Sequence, residues 1–266
     1  MKIGILGYGN MGSAIAGRLK DKHQLYIFDK DAGKANNVSI ATIAVSIPDL
    51  LDKSEVVILA VKPQDFAPVL IEIKKNIGQQ LFVSIAAGIT TAGIETLLGE
   101  AKVVRAMPNL PVKAGKGMTC LARGKYASEI NLSFAREIFD LTGKTLVVGE
   151  NMMNAVTAIS GSGPGFLYEF LSHLPAAEWD KFIQERFIPA FSGAARKVGF
   201  SDGQARLLAE TTAYGSLALL KESQSPPEVL RRQVTSKGGT TEAGLAILDG
   251  KIENLESAVR AALKRA

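Results

Sequence analysis

Lys2-Ile3-Gly4-Ile5-Leu6-Gly7-Tyr8-Gly9-Asn10-Met11-Gly12 stands at the head of the chain, and its reading decides the fold class. Lys2 to Leu6 reads as a short buried strand, and a helical pattern runs on from the glycines to Leu19. Between the two lies G-x-G-x-x-G, placed after a strand and at the opening of a helix, where its physics requires it. The first glycine makes the turn, the second admits a pyrophosphate, and the third lets helix pack on strand. Alone the hexapeptide is weak, because glycine-rich turns are common. Its context strengthens it: Gln24 to Phe28 is a second short apolar strand, and Asp29 follows directly. A ribose-binding carboxylate belongs roughly 20 residues beyond the glycines. A turn or helix-cap role is the competing reading of Asp29. A carboxylate there favours the free 2′-hydroxyl of NAD over the 2′-phosphate of NADP. Lys30 and Lys34 counter that repulsion, so NADPH and NADH both stay open, with a lean to NADH.

Moving outward, Glu55 to Val61 is a third strand with the continuous apolar character of a parallel strand covered on both faces. Lys62-Pro63-Gln64 ends it at the carboxyl edge, where doubly wound sheets bind ligands. Then come a helix over Phe66 to Ile77, a strand over Leu81 to Ala86, a turn at Ala87-Gly88-Ile89, a helix over Thr91 to Leu98 and a strand over Lys102 to Ala106. Met107-Pro108-Asn109-Leu110-Pro111 reads as a stiff loop holding one polar side chain out between two prolines. Gly117 to Ala122 as strand, Ser128 to Leu141 as helix and Thr145 to Val148 as strand complete the alternation. The expectation for residues 1–150 is an α/β dinucleotide-binding domain with a doubly wound, largely parallel sheet. After Gly149 no strand-like run appears and helical periodicity takes over, which makes 151–266 an all-helical second domain. Thr211 to Leu220 is apolar around most of a helix circumference and asks for burial on all sides, so the helical halves of two chains are expected to pack together.

Composition narrows the function. An apolar fraction of 47% and a charged fraction of 21% over 266 residues are those of a globular protein. Net charge is +5, and no Lys/Arg block exceeds two residues, which disfavours nucleic acid and suits small acidic ligands. Cys120 has no intrachain partner and reads as a buried strand thiol, with a reducing, cytoplasmic setting as the expectation. Two histidines and one cysteine argue against a metal site. No apolar run approaches the roughly 20 residues of a membrane span, and Gly7, Tyr8 and Asn10 interrupt any signal-peptide core.

Two small-residue segments remain. Ala158-Ile159-Ser160-Gly161-Ser162-Gly163-Pro164-Gly165 fits a hinge, a close helix crossing or a substrate contact equally. Val234-Thr235-Ser236-Lys237-Gly238-Gly239-Thr240-Thr241 joins two helical patterns. Taken alone it reads first as a capping linker; its glycines, hydroxyls and helix-opening amides also suit an anion.

Taken in order, Gly7–Gly12, Ala60-Val61-Lys62-Pro63, Arg105-Ala106-Met107-Pro108-Asn109-Leu110-Pro111, Thr157–Pro164 and Val234–Thr241 form a specific series. With it the whole chain resembles the pyrroline-5-carboxylate reductases. The resemblance implies a Rossmann domain followed by a helical domain that intertwines with a partner chain, in dimers and in decamers built of dimers. It implies reduction of 1-pyrroline-5-carboxylate to L-proline by NADPH or NADH. By that resemblance Gly7, Tyr8, Gly9, Asn10, Met11 and Gly12 cradle the pyrophosphate, and Ala60, Val61, Lys62 and Pro63 line the cofactor. Ala87, Gly88 and Asn109 approach the nicotinamide, and Asp29 with Lys30 meets the ribose. Ser236, Gly239, Thr240 and Thr241 hold the substrate, with the Thr241 hydroxyl facing the ring nitrogen as the catalytic group.

The chain departs from the family pattern at four places. Lys237 stands for a usual proline, Gly165 for a usual alanine, Asp29 is unlike a strict NADPH enzyme, and Leu171 to Gln184 looks longer and less regular. Three other readings stand beside this one. A reductase of a related cyclic imine would use the same site. A β-hydroxyacid dehydrogenase would place a lysine on the helix after the glycine-rich segment, where this chain has Phe166 to His173. A non-catalytic dinucleotide sensor would have no need of the Ser236–Thr241 segment.

Overall fold

Buried apolar strands flanked by glycine turns build the first part of the molecule. A computed structural model describes residues 1–35 and 38–266. The strands are β1 (Lys2–Leu6), β2 (Gln24–Phe28), β3 (Thr42–Ile43), β4 (Val56–Leu59), β5 (Leu81–Ser84), β6 (Lys102–Pro108), β7 (Gly117–Arg123) and β8 (Gly143–Val147). They form one sheet in the order β3-β2-β1-β4-β5-β6-β7-β8. From β3 to β6 every pairing is parallel, with Ile5 opposite Ile27 on one side and Ile58 on the other. β7 turns back along β6, where Gly124 N–H donates to Val103 O at 2.9 Å. The order reverses direction between β1 and β4, the switch point at which doubly wound sheets bind ligands.

The connecting helices are α1 (Asn10–Leu19), α2 (Ala32–Ala35), α3 (Ile47–Asp52), α4 (Phe66–Lys75), α5 (Thr91–Leu98) and α6 (Glu129–Asp140). Both faces of the sheet are covered, which explains the unbroken apolar strands. Leu59, Phe66, Leu70, Phe82 and Ile94 belong to one buried cluster. The strand expected over Glu55–Val61 is assigned over Val56–Leu59; Ala60 N–H still donates to Leu6 O at 2.8 Å, and the chain bends at Val61. β3 and α3 fall in a stretch for which no element was anticipated. Ser46 caps α3 by accepting from Asp49 N–H at 3.2 Å.

The chain divides into two compact units. The first is Met1–Ala106 with Leu121–Glu150; the second is Met107–Cys120 with Asn151–Ala266. The proline-flanked segment around Asn109 therefore groups with the helices.

The second unit contains α7 (Met153–Val156), α8 (Gly163–Leu171), α9 (Trp179–Phe182), α10 (Ile188–Lys197), α11 (Asp202–Ser223), α12 (Pro227–Val234), α13 (Thr240–Leu248) and α14 (Leu255–Arg265). Two π-helical turns, Thr157–Gly161 and Ile183–Phe187, join α7 to α8 and α9 to α10. The segment from Ala158 to Gly165 is thus continuous helix, which rules out a hinge loop and fits a close crossing. A Cβ on Gly163 would lie 2.6 Å from Phe191 and 2.8 Å from Thr212. Pro189 has no N–H to give to the preceding turn, and the π turn before it absorbs that lost bond. The irregularity expected between Leu171 and Gln184 is present. Trp179 Nε1–H donates to Leu171 O and Leu174 O, both at 3.1 Å, and closes the end of α8. Tyr168, buried on α8, donates to Ser216 O at 3.1 Å on α11. α11 is largely covered by α8, α10 and the Leu110–Ala114 turn of its own chain, so its apolar girth is mostly enclosed without a partner.

Candidate active site

Two groups of the anticipated residues assemble, one in each unit. In the first, Gly7 leaves β1 at φ +100°, a left-handed value that a side chain resists, and its N–H donates to Phe28 O at 2.8 Å. A Cβ there would sit 2.7 Å from Ala60 O. Gly12 faces Gly7 O so closely that no Cβ fits, which seats α1 against the turn. Gly9 is the contrast: a Cβ there meets nothing within 4 Å. The three glycines thus play the turn, open-face and packing roles that their spacing anticipates. No side chain caps α1, and its first backbone bond is Ser13 N–H to Gly9 O, so the amides of Asn10, Met11 and Gly12 precede the helical ladder. Free amides at the positive end of a helix dipole suit an anion.

A cavity of about 580 Å³ opens beside this turn, lined in part by Gly7, Gly9, Asp29, Lys30, Ala60 and Val61. That volume is within the range of small-molecule sites. Asp29 is nearly enclosed, with 6% of its side chain exposed. Its Oδ2 accepts from Tyr8 N–H at 2.7 Å and its Oδ1 from Asp31 N–H at 2.9 Å. Burial pushes the carboxyl up, but the Asp31 and Tyr8 amides and the Lys34 ammonium outweigh it and hold Asp29 below its ordinary value. Asp29 therefore has a turn-fixing role as well as a place in the cavity wall. Lys62 and Asp65 also line it, and Lys30 Nζ lies 2.6 Å from Asp65 Oδ1. Pro63 begins the turn that carries Asp65. Ala87 and Gly88 form an exposed turn after β5, with Gly88 at φ +74°.

Asn109 corrects an expectation. Its side chain is not held out by the flanking prolines; it is 2% exposed, accepts from Met118 N–H at 2.8 Å and donates to Ser160 Oγ at 3.4 Å. A buried amide needs partners, and within the second unit it finds them on β7 and the first π turn. The buried Cys120 thiol is pushed up to about 12 by burial, which leaves it inert.

The second group surrounds the opening of α13. Gly239 is its N-cap and no side chain caps it, so Ser236, Thr240 and Thr241 are not its capping residues, whereas Thr235 caps the end of α12 by donating to Arg231 O at 2.8 Å. Gly238 takes φ +70°, and its N–H donates to Glu242 Oε2 at 2.6 Å. Arg265 on α14 donates to Gly238 O, which pins the turn from the C-terminal helix. Ser162 Oγ donates to Thr240 Oγ1 at 3.0 Å. Thr241 is buried, and its methyl faces Gly165, where a Cβ would come within 2.5 Å of it and 3.1 Å of a Val234 methyl. The departure at Gly165 thereby has a physical reason: Thr241 and Val234 occupy the space. Ser236 and Lys237 are exposed. On α8, Glu169 pairs with Arg231 of α12, and His173 lies 3.5 Å from it but mostly in solvent, so the two do not form an isolated acid pair.

Two features escaped the sequence reading. Asp65 reaches Lys30 because β4 and β2 flank β1 in the sheet, a neighbourhood set by topology. Arg105, only 2% exposed on β6, pairs with Glu150 at 2.9 Å. A lone arginine inside Val103-Val104-Arg105-Ala106 was the available signal for a buried partner.

Comparison with known proteins extends this picture. A family model described as pyrroline-5-carboxylate reductase dimerisation matches residues 183–266, and one described as NADP oxidoreductase, coenzyme F420-dependent, matches residues 2–88. The pyrroline-5-carboxylate reductase of Aquifex aeolicus is 35% identical, covering 94% of this chain and 90% of its own length. That of Synechocystis is 33% identical, covering 100% and 97%. The crystal structure of the Plasmodium falciparum pyrroline carboxylate reductase with NADP bound superposes with a TM-score of 0.65 at 27% identity, covering 99% of this chain and 96% of that one.

Proposed function

The chain belongs to the pyrroline-5-carboxylate reductase family, and from that premise we propose that it reduces 1-pyrroline-5-carboxylate to L-proline with NADPH or NADH. The observation that carries the reading is relatedness over the full length, so that the glycine turn and the Ser236–Thr241 segment both fall within the matched region.

The first unit fits a dinucleotide. Gly9 faces open space, the first amides of α1 are uncommitted, and Asp29 keeps acceptor capacity beyond its two amide bonds. In this reading Gly7 to Gly12 hold the pyrophosphate through backbone amides, Asp29 and Lys30 meet the ribose, and Ala60 to Pro63 form the wall. Ala87 and Gly88 address the nicotinamide end in the first unit, and the Asn109 amide is already committed within the second. When bound, the reduced nicotinamide supplies a hydride. The chain's own share is binding and orientation. Ser236, Gly239 and Thr240 receive the substrate carboxylate at the opening of α13, with Ser162 fixing the Thr240 hydroxyl. The Thr241 hydroxyl hydrogen-bonds the imine nitrogen, which arrives protonated or gains its proton from water through Thr241. The absence of lysine from Phe166–His173, and the Glu169–Arg231 pair, disfavour β-hydroxyacid chemistry.

We assign dinucleotide binding to residues 1–150 and dimerisation with substrate binding to 151–266, with Met107–Cys120 joining the latter. The match of residues 183–266 to a dimerisation model makes the chain a homo-oligomer; a dimer is the unit we infer, and decamers are its further assembly. A single cysteine without an intrachain partner supports a reducing, cytoplasmic setting. No helix among the described residues is long and apolar enough to cross a membrane.

The test is oxidation of NADH and NADPH by the purified protein with and without pyrroline-5-carboxylate, with proline identified as product. Substrate-dependent turnover is expected. No turnover with either cofactor would overturn the reading.

A further inference from the structure

The end of the cavity beside Asp29 holds two ion pairs, Lys34 with Asp29 and Lys30 with Asp65. Resting on the reading that this cavity holds a nicotinamide dinucleotide, we propose that Asp65, by holding Lys30, acts with Asp29 to make the chain prefer the dinucleotide without a 2′-phosphate. Asp29 stands at the end of β2 with its charge in the cavity wall, and its two amide bonds leave acceptor capacity for ribose hydroxyls. The same charge repels a phosphate.

A 2′-phosphate would need the two neighbouring lysines, and both are engaged. Lys34 Nζ lies 3.5 Å from Asp29 Oδ1, and Lys30 Nζ lies 2.6 Å from Asp65 Oδ1. Asp65 comes from the turn after β4, across β1 from Lys30, so the pair is a clamp made by the sheet order and not by sequence proximity. Among the described residues lining the cavity, Asp29, Asp65 and Glu72 balance Lys30, Lys34 and Lys62 before any ligand enters. A phosphomonoester adds about −1.5 to −2 charges at neutral pH. To pair with it, Lys30 must leave Asp65, and that step frees a second carboxylate beside the anion. A free 2′-hydroxyl asks for no such rearrangement. The NADP bound to the Plasmodium falciparum relative therefore does not set the preference of this chain.

Calorimetric titration of the full-length protein with NADH and with NADPH, without substrate, tests the proposal. NADH should bind about tenfold more tightly or better, the scale of one uncompensated charge interaction near a protein surface. Asp65→Asn should tighten NADPH binding by about tenfold and leave NADH within about twofold, for the same electrostatic reason. Equal or tighter binding of NADPH by the unaltered protein would overturn it, as would an Asp65→Asn variant in which both affinities shift together. Should Asp65→Asn fail to fold, Asp65→Ala removes the same carboxylate and leaves Lys30 in place. NADPH should again tighten by about tenfold with NADH within about twofold, and affinities that stay unchanged or shift together would overturn the clamp. Binding without substrate keeps this result separate from the activity: intact NADH selectivity with no reduction of pyrroline-5-carboxylate would sink the proposed function alone.

Discussion

Gly9 and Gly12 stand three residues apart and make opposite demands on the same helix. A methyl group at Gly12 collides with Gly7 O, whereas at Gly9 it enters open space. Gly12→Ala should therefore lower stability by about 1–3 kcal/mol, the usual cost of overpacking, read as a urea midpoint. Gly9→Ala should leave that midpoint unchanged and weaken dinucleotide binding at least about tenfold, since only the pyrophosphate needs the space. A Gly9→Ala protein that binds normally would remove the turn from the cofactor site. Thr241 is judged by kinetics. Thr241→Ala should lower kcat by roughly tenfold, about one hydrogen bond's worth, with cofactor affinity unchanged; an unaltered kcat would exclude its hydroxyl from the chemistry. Asp29 supplies a pH signature. Its folded value is held below the ordinary carboxylate value, so its contribution to stability is complete above that ordinary value and is lost as pH falls through the folded one. Asp29→Asn should flatten that acid limb of the unfolding curve, and an unchanged limb would show that the amide bonds to Asp29 do not persist in solution.

At the level of elements, what the sequence disclosed depended on how local the cause was. β1, β2, β4 and β5 were legible because strands covered on both faces are largely apolar, and the helices after Gly149 were legible as helical periodicity. β3 has two residues, both exposed, and leaves no pattern to read. α3 did carry a signal, Ser46-Ile47-Pro48-Asp49, which combines a serine cap with an early proline. The π turns were hidden because one extra residue scarcely disturbs helical periodicity; Pro189 alone hinted at the second. The site was half legible. Glycine geometry is local, but the burial of Asn109 and the grip of Asp65 on Lys30 arise from partners distant in sequence. Trp179 shows how such a partner governs an element. Its indole N–H is shared between Leu171 O at the end of α8 and Leu174 O just beyond it. Trp179→Phe keeps the ring and removes the donor, so a loss of about 1–2 kcal/mol in chemical denaturation is expected; no change would mean that water replaces the indole.

For the whole molecule, the route from sequence to assembly differs from the one that α11 first suggested. The apolar circumference from Thr211 to Leu220 asks for burial on all sides, and α8, α10 and the Leu110–Ala114 turn largely supply it within one chain, with Tyr214 remaining 44% exposed. Self-association therefore rests on the dimerisation-family match of residues 183–266 and not on an unburied α11. The two grounds predict different behaviour on dilution. If burial of α11 were complete within the chain and association incidental, the unfolding midpoint would not depend on protein concentration. If association is part of the native state, mass action couples it to folding, and the midpoint rises with concentration. A hundredfold increase in the concentration of a dimer that unfolds to monomers should stabilise it by about 2.7 kcal/mol of dimer, from RT ln 100. The measurement is a series of thermal melts over that range beside light scattering, in which the mass should be at least twice the 28.2 kDa of one chain. A mass of one chain with concentration-independent melts would overturn the homo-oligomer and leave the second unit stable by its own packing.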